Sequence, residues 1–570
     1  MRIKNDCREE NAMNTRITGR SAFISLMKDE GITHLFGNPG TTELPIMHAL
    51  TDHPDMTFVL GLQEAIVVAM ADGFSRASGK LVACNVHVAP GLGNAMGSLF
   101  NAAFTSTPMI LTAGQQEQGF GLMQPNLYGP LVRMAEPLVK WAVEVNRLQD
   151  LPRIIRRAAK IATTPPTGPV FISLPGDILN QEDAIDLGQS TRVLTRSVPA
   201  SEHVAGLADL ILAAERPVLV CGDELVRSDA LAEAARLADV LGAPAYQSSS
   251  SYGAHFLSEH ACYMGSLPKR QEMVRQTLEA YDLMIVLGSD VLRMAVYADA
   301  DPMPARLAHV QIGLDDREMG KNYAPKMALR ADPRETLKAL IPVLEAKGGA
   351  GLKKRAESGK GAIAARNWSS KRRALVGKIE AAGSIAEGTA STINPDWMTL
   401  RMVDALPRDA ILVFESLTTG RHVVDLFPYR DRYAYHGLAS GGIGFSIPAS
   451  IGISLAQPGR RVVTMVGDGS AMYSYQALWT AAHLKLPITY VICNNDGYRI
   501  IKQRLLAFHG NRNFNDFEIQ NPEIDYAAMA RSMGVTAERI TRPQEFEPAM
   551  NRALTHNGPV VLDVVVDGRV

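Results

Sequence analysis

Cysteine is scarce: Cys7, Cys84, Cys221, Cys262 and Cys493 are the five in 570 residues, and no two form a CxxC pair. Their odd number, wide spacing and frequent apolar settings argue against a disulfide framework or a thiolate zinc site. They read instead as reduced packing residues of a cytoplasmic protein. No apolar run reaches membrane-spanning length, and residues 1–16 are polar without the apolar core of a secretory signal. We read that opening as a disordered leader, with Met13 as an alternative start. Neither sign of charge dominates, since 58 Lys and Arg face 59 Asp and Glu for a net charge of −1. Nothing global therefore favours nucleic acid or an anionic membrane as partner.

What is present is an apolar fraction of 46% with 21% charged residues, the balance of a soluble globular enzyme. At 570 residues the chain is too long for one core, and length predicts three or four domains. The most informative stretch is residues 461–500. A buried apolar run (462–466) breaks into Gly467-Asp468-Gly469-Ser470, and an amphipathic helix of about three turns is expected next. A second apolar run (488–493) then opens into Asn494-Asn495-Asp496-Gly497. This is a βαβ pattern whose parallel strands end at one sheet edge, where open α/β sheets bind ligands. Asp468 offers a hard carboxylate oxygen, Asn495 an amide oxygen, and a backbone carbonyl near Gly497 a third ligand. Such a half-built oxygen shell suits Mg2+ held together with a diphosphate. Gly467 and Gly469 admit close approach of backbone to phosphate, and Ser470 adds a donor. Either segment alone reads as a tight turn; on consecutive strand ends the two together read as a site.

The remainder alternates strands and helices. In the first part, strands are expected at 34–36, 57–60, 81–86, 109–113 and 170–174, with helices at 19–28 and from Gln63-Glu64-Ala65 to Ala77. The first strand enters Gly37-Asn38-Pro39-Gly40-Thr41-Thr42-Glu43, where Thr41 or Thr42 is the expected helix cap. His87 closes the third strand ahead of a Gly-rich loop. A polar linker is expected at 186–201, then a second α/β domain with strands at 217–221, 243–246, 283–288 and 309–313. That domain has neither GxGxxG nor a Walker motif, so a structural role is assigned to it. Residues 347–388, rich in Lys, Arg, Gly and Ala, read as a solvated helical linker. A third domain follows, opening with a strand at 410–414 and Glu415-Ser416-Leu417-Thr418, then Ala439-Ser440-Gly441-Gly442-Ile443-Gly444. The first and third domains are both doubly wound and neither holds a complete site, which points to a cofactor between them.

Gly467-Asp468-Gly469 followed by Asn494-Asn495 resembles the thiamin-diphosphate fingerprint, and the likeness runs from about Ile17 to Val566. The chain resembles the thiamin-diphosphate-dependent decarboxylase and acetolactate synthase superfamily, most of all its benzoylformate decarboxylase branch. The expected fold is thus α/β, with three doubly wound parallel-sheet domains. These are a pyrimidine-binding domain at 17–185, a central domain at 200–345 and a diphosphate-binding domain at 391–570, with a linker at 346–390. The resemblance implies thiamin diphosphate and Mg2+ (or Ca2+) as cofactors, and a small 2-oxo acid or aldehyde as substrate. It also implies a homodimer or homotetramer with active sites at the dimer interface.

The resemblance further assigns roles. Asp468, Asn495 and Gly497 would hold the metal, while Thr418, Gly469, Ser470 and Tyr473 would meet the diphosphate. Tyr473 reads equally as a core tyrosine, and Ile443, the expected wedge for the bent cofactor, as an ordinary core residue. Glu64 would bond the pyrimidine ring, Thr41 would receive the substrate carboxylate, and His87 would orient the keto group or carry protons. Two positions depart from the pattern. Ala295 or its neighbour stands where the decarboxylase has a second active-site histidine, and Arg504 where it has an apolar side chain. Of the basic residues Lys502, Arg504 and Arg512, at least two are expected on the surface. The expected activity is non-oxidative decarboxylation of a benzoylformate-like 2-oxo acid to an aldehyde, with carboligation. An acetolactate-synthase-like or 2-hydroxyacyl-CoA-lyase-like reaction is the alternative. A non-catalytic assembly protein that keeps the fold is a third reading, opposed by Glu64, Asp468 and Asn495.

Overall fold

Continuous apolar runs bounded by Gly and polar turns become fully buried parallel strands, as expected where helices cover both faces of a sheet. The structure is a computed structural model that describes residues 16–249 and 252–570. Met13 and Cys7 lie outside the described residues, as does the expected leader except for Arg16. Arg16 belongs to a short strand, Arg16–Thr18, paired antiparallel with Glu182–Ala184. By packing, the chain forms two units. One comprises the described residues through Val193 with Ser440–Gln457, and the other Leu194–Ala439 with Pro458–Val570.

The first unit holds a six-stranded parallel sheet in the order Thr57–Leu60, His34–Gly37, Val82–Val86, Met109–Gln115, Pro169–Pro175, Ala142–Glu144. The winding reverses between His34–Gly37 and Val82–Val86, so their carboxyl ends bound the crevice where such sheets bind ligands. Residues 38–43 and His87 leave from those two ends. Neither Thr41 nor Thr42 caps a helix, contrary to expectation. Thr41–Glu43 forms a 3-10 turn, and the Thr42 hydroxyl is turned to the Glu43 carboxylate instead. The helix Glu64–Ser78 starts with Gln63 as its cap, whose Oε1 accepts from Ala65 N at 2.6 Å, and ends on left-handed Gly79. Ser446–Ala456 lies against that helix at backbone contact. A Cβ at Gly73 would fall 2.3 Å from Ala449 O, and one at Gly452 1.9 Å from Met70 O. Gln457 Nε2 donates to Ala77 O, fastening the end of this packing.

The second unit holds two six-stranded parallel sheets. The central one runs Tyr263–Ser266, Ala245–Gln247, Pro217–Cys221, Leu283–Leu287, Ala308–Gly313, Met327–Arg330. The C-terminal one runs Tyr435–Gly437, Ile411–Glu415, Val462–Gly467, Ile488–Asn494, Val560–Val565, Thr536–Ile540. Its winding reverses between Ile411–Glu415 and Val462–Gly467, which places the 416–420 turn and Asp468 at the ligand-binding edge. The stretch expected as a solvated linker is helical over Pro333–Ala364 and Trp368–Ala382, with a break at Gly349. It is not simply solvated: Leu352, Ile363 and Trp368 are buried in the central core, because the helices carry one apolar face. Residues 185–200 carry neither helix nor strand. Cys84, Cys221, Cys262 and Cys493 are free and buried, and burial raises each thiol, Cys493 to about 12.

Candidate active site

At the C-terminal sheet edge the Val462–Gly467 strand runs into a single helical turn, Asp468–Ala471. The expected three-turn helix is broken. Residues 472–476 are turns, and the helix resumes at Ala477–His483. Within the break Tyr475 is buried, and its hydroxyl donates to Tyr526 O at 2.5 Å. The interruption leaves Met472 and Tyr473 at the surface, Tyr473 at 58% exposure, so Tyr473 is not a core tyrosine.

Asp468 is 3% exposed and held by main-chain donors. Gly469 N donates to Oδ1 at 2.8 Å, while Asn495 N at 3.0 Å and Gly497 N at 3.1 Å donate to Oδ2. The last two come from the neighbouring strand end, so this carboxylate joins the two turns. Burial pushes the Asp468 carboxyl up to about 6, against the pull of those three N–H groups. The Asn495 side-chain oxygen is buried without a hydrogen-bond partner. A buried acceptor left unmet costs about 1–3 kcal/mol, and its natural remedy is a ligand. Gly497 O accepts from Arg499 N at 3.0 Å, and a carbonyl oxygen has a second lone pair. Gly469 is required sterically, as a Cβ there would fall 2.7 Å from the Tyr498 ring. Ser470 and Thr418 are half-buried on their turns. Among the described residues no three His, Cys, Asp or Glu side chains cluster as a metal site. A hard cation here would therefore use one carboxylate, one amide and main chain, a donor set that fits Mg2+ or Ca2+.

Glu64, Thr41, His87 and Ile443 belong to the first unit. Glu64 opens its helix, is 8% exposed, and accepts from Asn94 Nδ2 at 3.0 Å. Gly91 passes close by, where a Cβ would sit 2.9 Å from Glu64 Oε1. Ile443 is half-buried on the turn that begins at Ser440, whose N donates to Asn101 Oδ1. Asn94 and Asn101 lie on one helix, Val88–Phe104, so that helix supports both Glu64 and the Gly-rich turn. Thr41 is exposed and, with Arg20, Thr42, Gln115, Gln116 and Phe120, lines a cavity of about 710 Å3. His87 Nδ1 lies 2.7 Å from Glu43 Oε2. Sequence reasoning left Glu43 without a role; the only signal was a glutamate two residues after Thr41 in a Gly/Pro turn. Ala295 is exposed in the loop after Leu283–Leu287. Lys502 is buried against Glu518 at 2.5 Å, whereas Arg504 and Arg512 are exposed.

The three domains of one family match this chain in order. Thiamine pyrophosphate enzyme N-terminal TPP binding domain covers residues 17–124, the central domain 204–340, and the C-terminal TPP binding domain 418–564. A benzoylformate decarboxylase of Pseudomonas aeruginosa is 34% identical over 556 residues, covering 96% of this chain and 98% of that protein. The chain belongs to the thiamine pyrophosphate enzyme family. It is a thiamine-pyrophosphate-dependent enzyme with three parallel-sheet α/β domains. The thiamine diphosphate-dependent 4-hydroxybenzoylformate decarboxylase of Rhodococcus jostii superposes with a TM-score of 0.85 at 28% identity. That match covers 97% of this chain and 99% of the other. The acetolactate synthase isozyme 1 large subunit of Escherichia coli is 26% identical over 569 residues, 97% of this chain and 94% of that one. No helix among the described residues is long and apolar enough to cross a membrane. In this thiamine pyrophosphate enzyme, Asp468, Gly469, Ser470 and Asn495 all fall inside the matched C-terminal TPP binding domain, and Glu64 inside the N-terminal one.

Proposed function

We propose that the chain catalyses the non-oxidative decarboxylation of an aromatic, benzoylformate-like 2-oxo acid to an aldehyde, with Mg2+ or Ca2+ beside thiamin diphosphate. The observation that carries the metal assignment is the unpartnered, buried Asn495 oxygen next to the main-chain-braced Asp468 carboxylate. Thiamin diphosphate supplies, when bound, the carbanion nucleophile and the electron sink for loss of carbon dioxide. Asp468 and Asn495 would hold the cation, with the Gly497 carbonyl as third protein ligand. Ser470, Tyr473, Thr418 and the open backbone at Gly469 would meet the diphosphate. Glu64, buried and oriented by Asn94, would hold a proton at the pyrimidine ring. Ile443 would pack against the cofactor. Thr41 would bind the substrate carboxylate, and His87 would orient the keto group or carry protons.

Exposed Leu62, Phe100, Leu122 and Met123 on the first unit support assembly with further copies, as a homodimer or homotetramer. Exposed Ala295, in a loop with no histidine between Gly288 and Leu307, favours a second outcome at the same site, transfer to a carbonyl acceptor to give an acyloin. The acetolactate synthase relative supports the same outcome. The reading places the protein in the cytoplasm.

The test is a screen of 2-oxo acids for carbon dioxide release, with aldehyde and acyloin separated, on the wild type and Glu64→Gln. Aryl 2-oxo acids should turn over best, and Glu64→Gln should lose on the order of 100- to 10,000-fold in rate while still binding cofactor. Full activity in that variant would remove Glu64 from the mechanism.

A further inference from the structure

Behind His87 stands a carboxylate to which the reading above gives no part. Glu43 is fully buried, at 0% exposure. Its Oε2 accepts from Gly40 N at 2.9 Å and faces His87 Nδ1 at 2.7 Å. Its Oε1 accepts from Gly114 N at 3.0 Å and from the Thr42 hydroxyl at 2.8 Å. Two glycines make the space. A Cβ at Gly40 would fall 2.1 Å from His87 Nδ1, and one at Gly114 2.2 Å from Glu43 Oε1. Neither glycine has a positive φ, so the demand for glycine is steric. The backbone after the ring is bent to fit as well: Val88 has φ +41°, costly for a β-branched residue, and Gly91 N closes the turn onto His87 O at 2.7 Å.

We infer that Glu43 is a positioning residue that fixes His87 as the Nδ1–H tautomer and leaves Nε2 as its working atom. The inference rests on the proposed part of His87 in the reaction. Hydrogen-bond accounting carries it. Two main-chain N–H groups and the Thr42 O–H already point at the two carboxylate oxygens, and a carboxylate accepts at about four positions. The fourth is taken by the ring, which must therefore donate. Thr42 Oγ1, 3.2 Å from Nδ1, gives its proton to Glu43 and presents only lone pairs to the ring. A buried carboxylate that orients an imidazole through Nδ1 decides which nitrogen meets substrate. In the neutral ring, Nε2 then carries a lone pair able to take a proton. In the cation it carries a proton able to bond the keto oxygen.

The tautomer is read directly in wild-type enzyme labelled with 15N-histidine. The spectrum of His87→Ala is subtracted to isolate one ring, at a pH where that ring is neutral. Protonated Nδ1 and bare Nε2 are expected, and protonated Nε2 would overturn the inference. This measurement needs neither turnover nor a variant of Glu43, so it stands or falls apart from the substrate assignment. The kinetic arm uses Glu43→Gln, whose single oxygen cannot satisfy both sides of the cluster. It should lower kcat on the order of ten- to hundred-fold with KM near wild type, and by less than twofold once His87 is already alanine. Equal losses in both backgrounds would make Glu43 a support of its own loop and refute the inference.

Discussion

Replacing Asn495 by leucine separates stability from cofactor binding. The side chain keeps its branched heavy-atom skeleton and loses its polar atoms. The main-chain bond from residue 495 to Asp468 Oδ2 is untouched, because the donor is the backbone N–H. What disappears is a buried acceptor with no partner. An unmet acceptor of this kind costs about 1–3 kcal/mol. The cofactor-free variant should therefore be as stable as wild type or more so by up to that amount, a rise of a few degrees in melting midpoint. With Mg2+ and thiamin diphosphate at a hundred times the dissociation constant, wild type should gain about 2.7 kcal/mol. The variant should gain none of the part that depends on the metal. Scanning calorimetry with and without both ligands gives the four midpoints. A variant that melts earlier than wild type when empty, yet retains the full Mg2+-dependent rise, would refute the assignment of Asn495 as a ligand.

Three further outcomes follow from other parts of the molecule. Asp563 is fully buried, burial pushes its carboxyl up to about 6, and its Oδ2 lacks a hydrogen bond. An acid raised in the folded state favours folding when protonated, and that advantage fades as pH rises from about 4 to about 6. Asp563→Asn should thus gain on wild type by on the order of 2–3 kcal/mol between pH 4.5 and pH 7.5, and parallel midpoint curves would contradict this. Gly73→Ala drives a Cβ to 2.3 Å from Ala449 O, so its unit should lose about 1–3 kcal/mol by calorimetry without a change in metal binding. Gly91→Ala presses on Glu64 Oε1 and should lower turnover while the melting midpoint of the cofactor-free protein stays near wild type.

The strands were legible because a parallel strand covered on both faces is a plain apolar run. Thr57–Leu60 and Pro217–Cys221 coincide with their expected bounds, and His34–Gly37 differs by one residue. Strands without such runs escaped notice: Tyr263–Ser266 and Met327–Arg330 are short, mixed in character and at sheet edges. The approach of the two turns was legible because Asp468 and Asn495 follow consecutive strands, and topology alone brings such ends together. Tyr473 was ambiguous because its exposure depends on the helix breaking at 472–476. Within that break Tyr475 reaches Tyr526, a contact remote in sequence. Glu43 was illegible for a similar reason. Its partners Gly114 and His87 come from two other strand ends, and nothing local distinguishes it from a helix-start glutamate.

One divalent ion is proposed to sit between the Asp468 carboxylate and the Asn495 amide oxygen. Anomalous scattering from crystals grown with Mn2+ and thiamin diphosphate tests it most directly. A peak is expected at roughly 2 Å from both oxygens, adjoining the diphosphate. A peak elsewhere in the chain, with Asn495 Oδ1 bonded to protein, would contradict it.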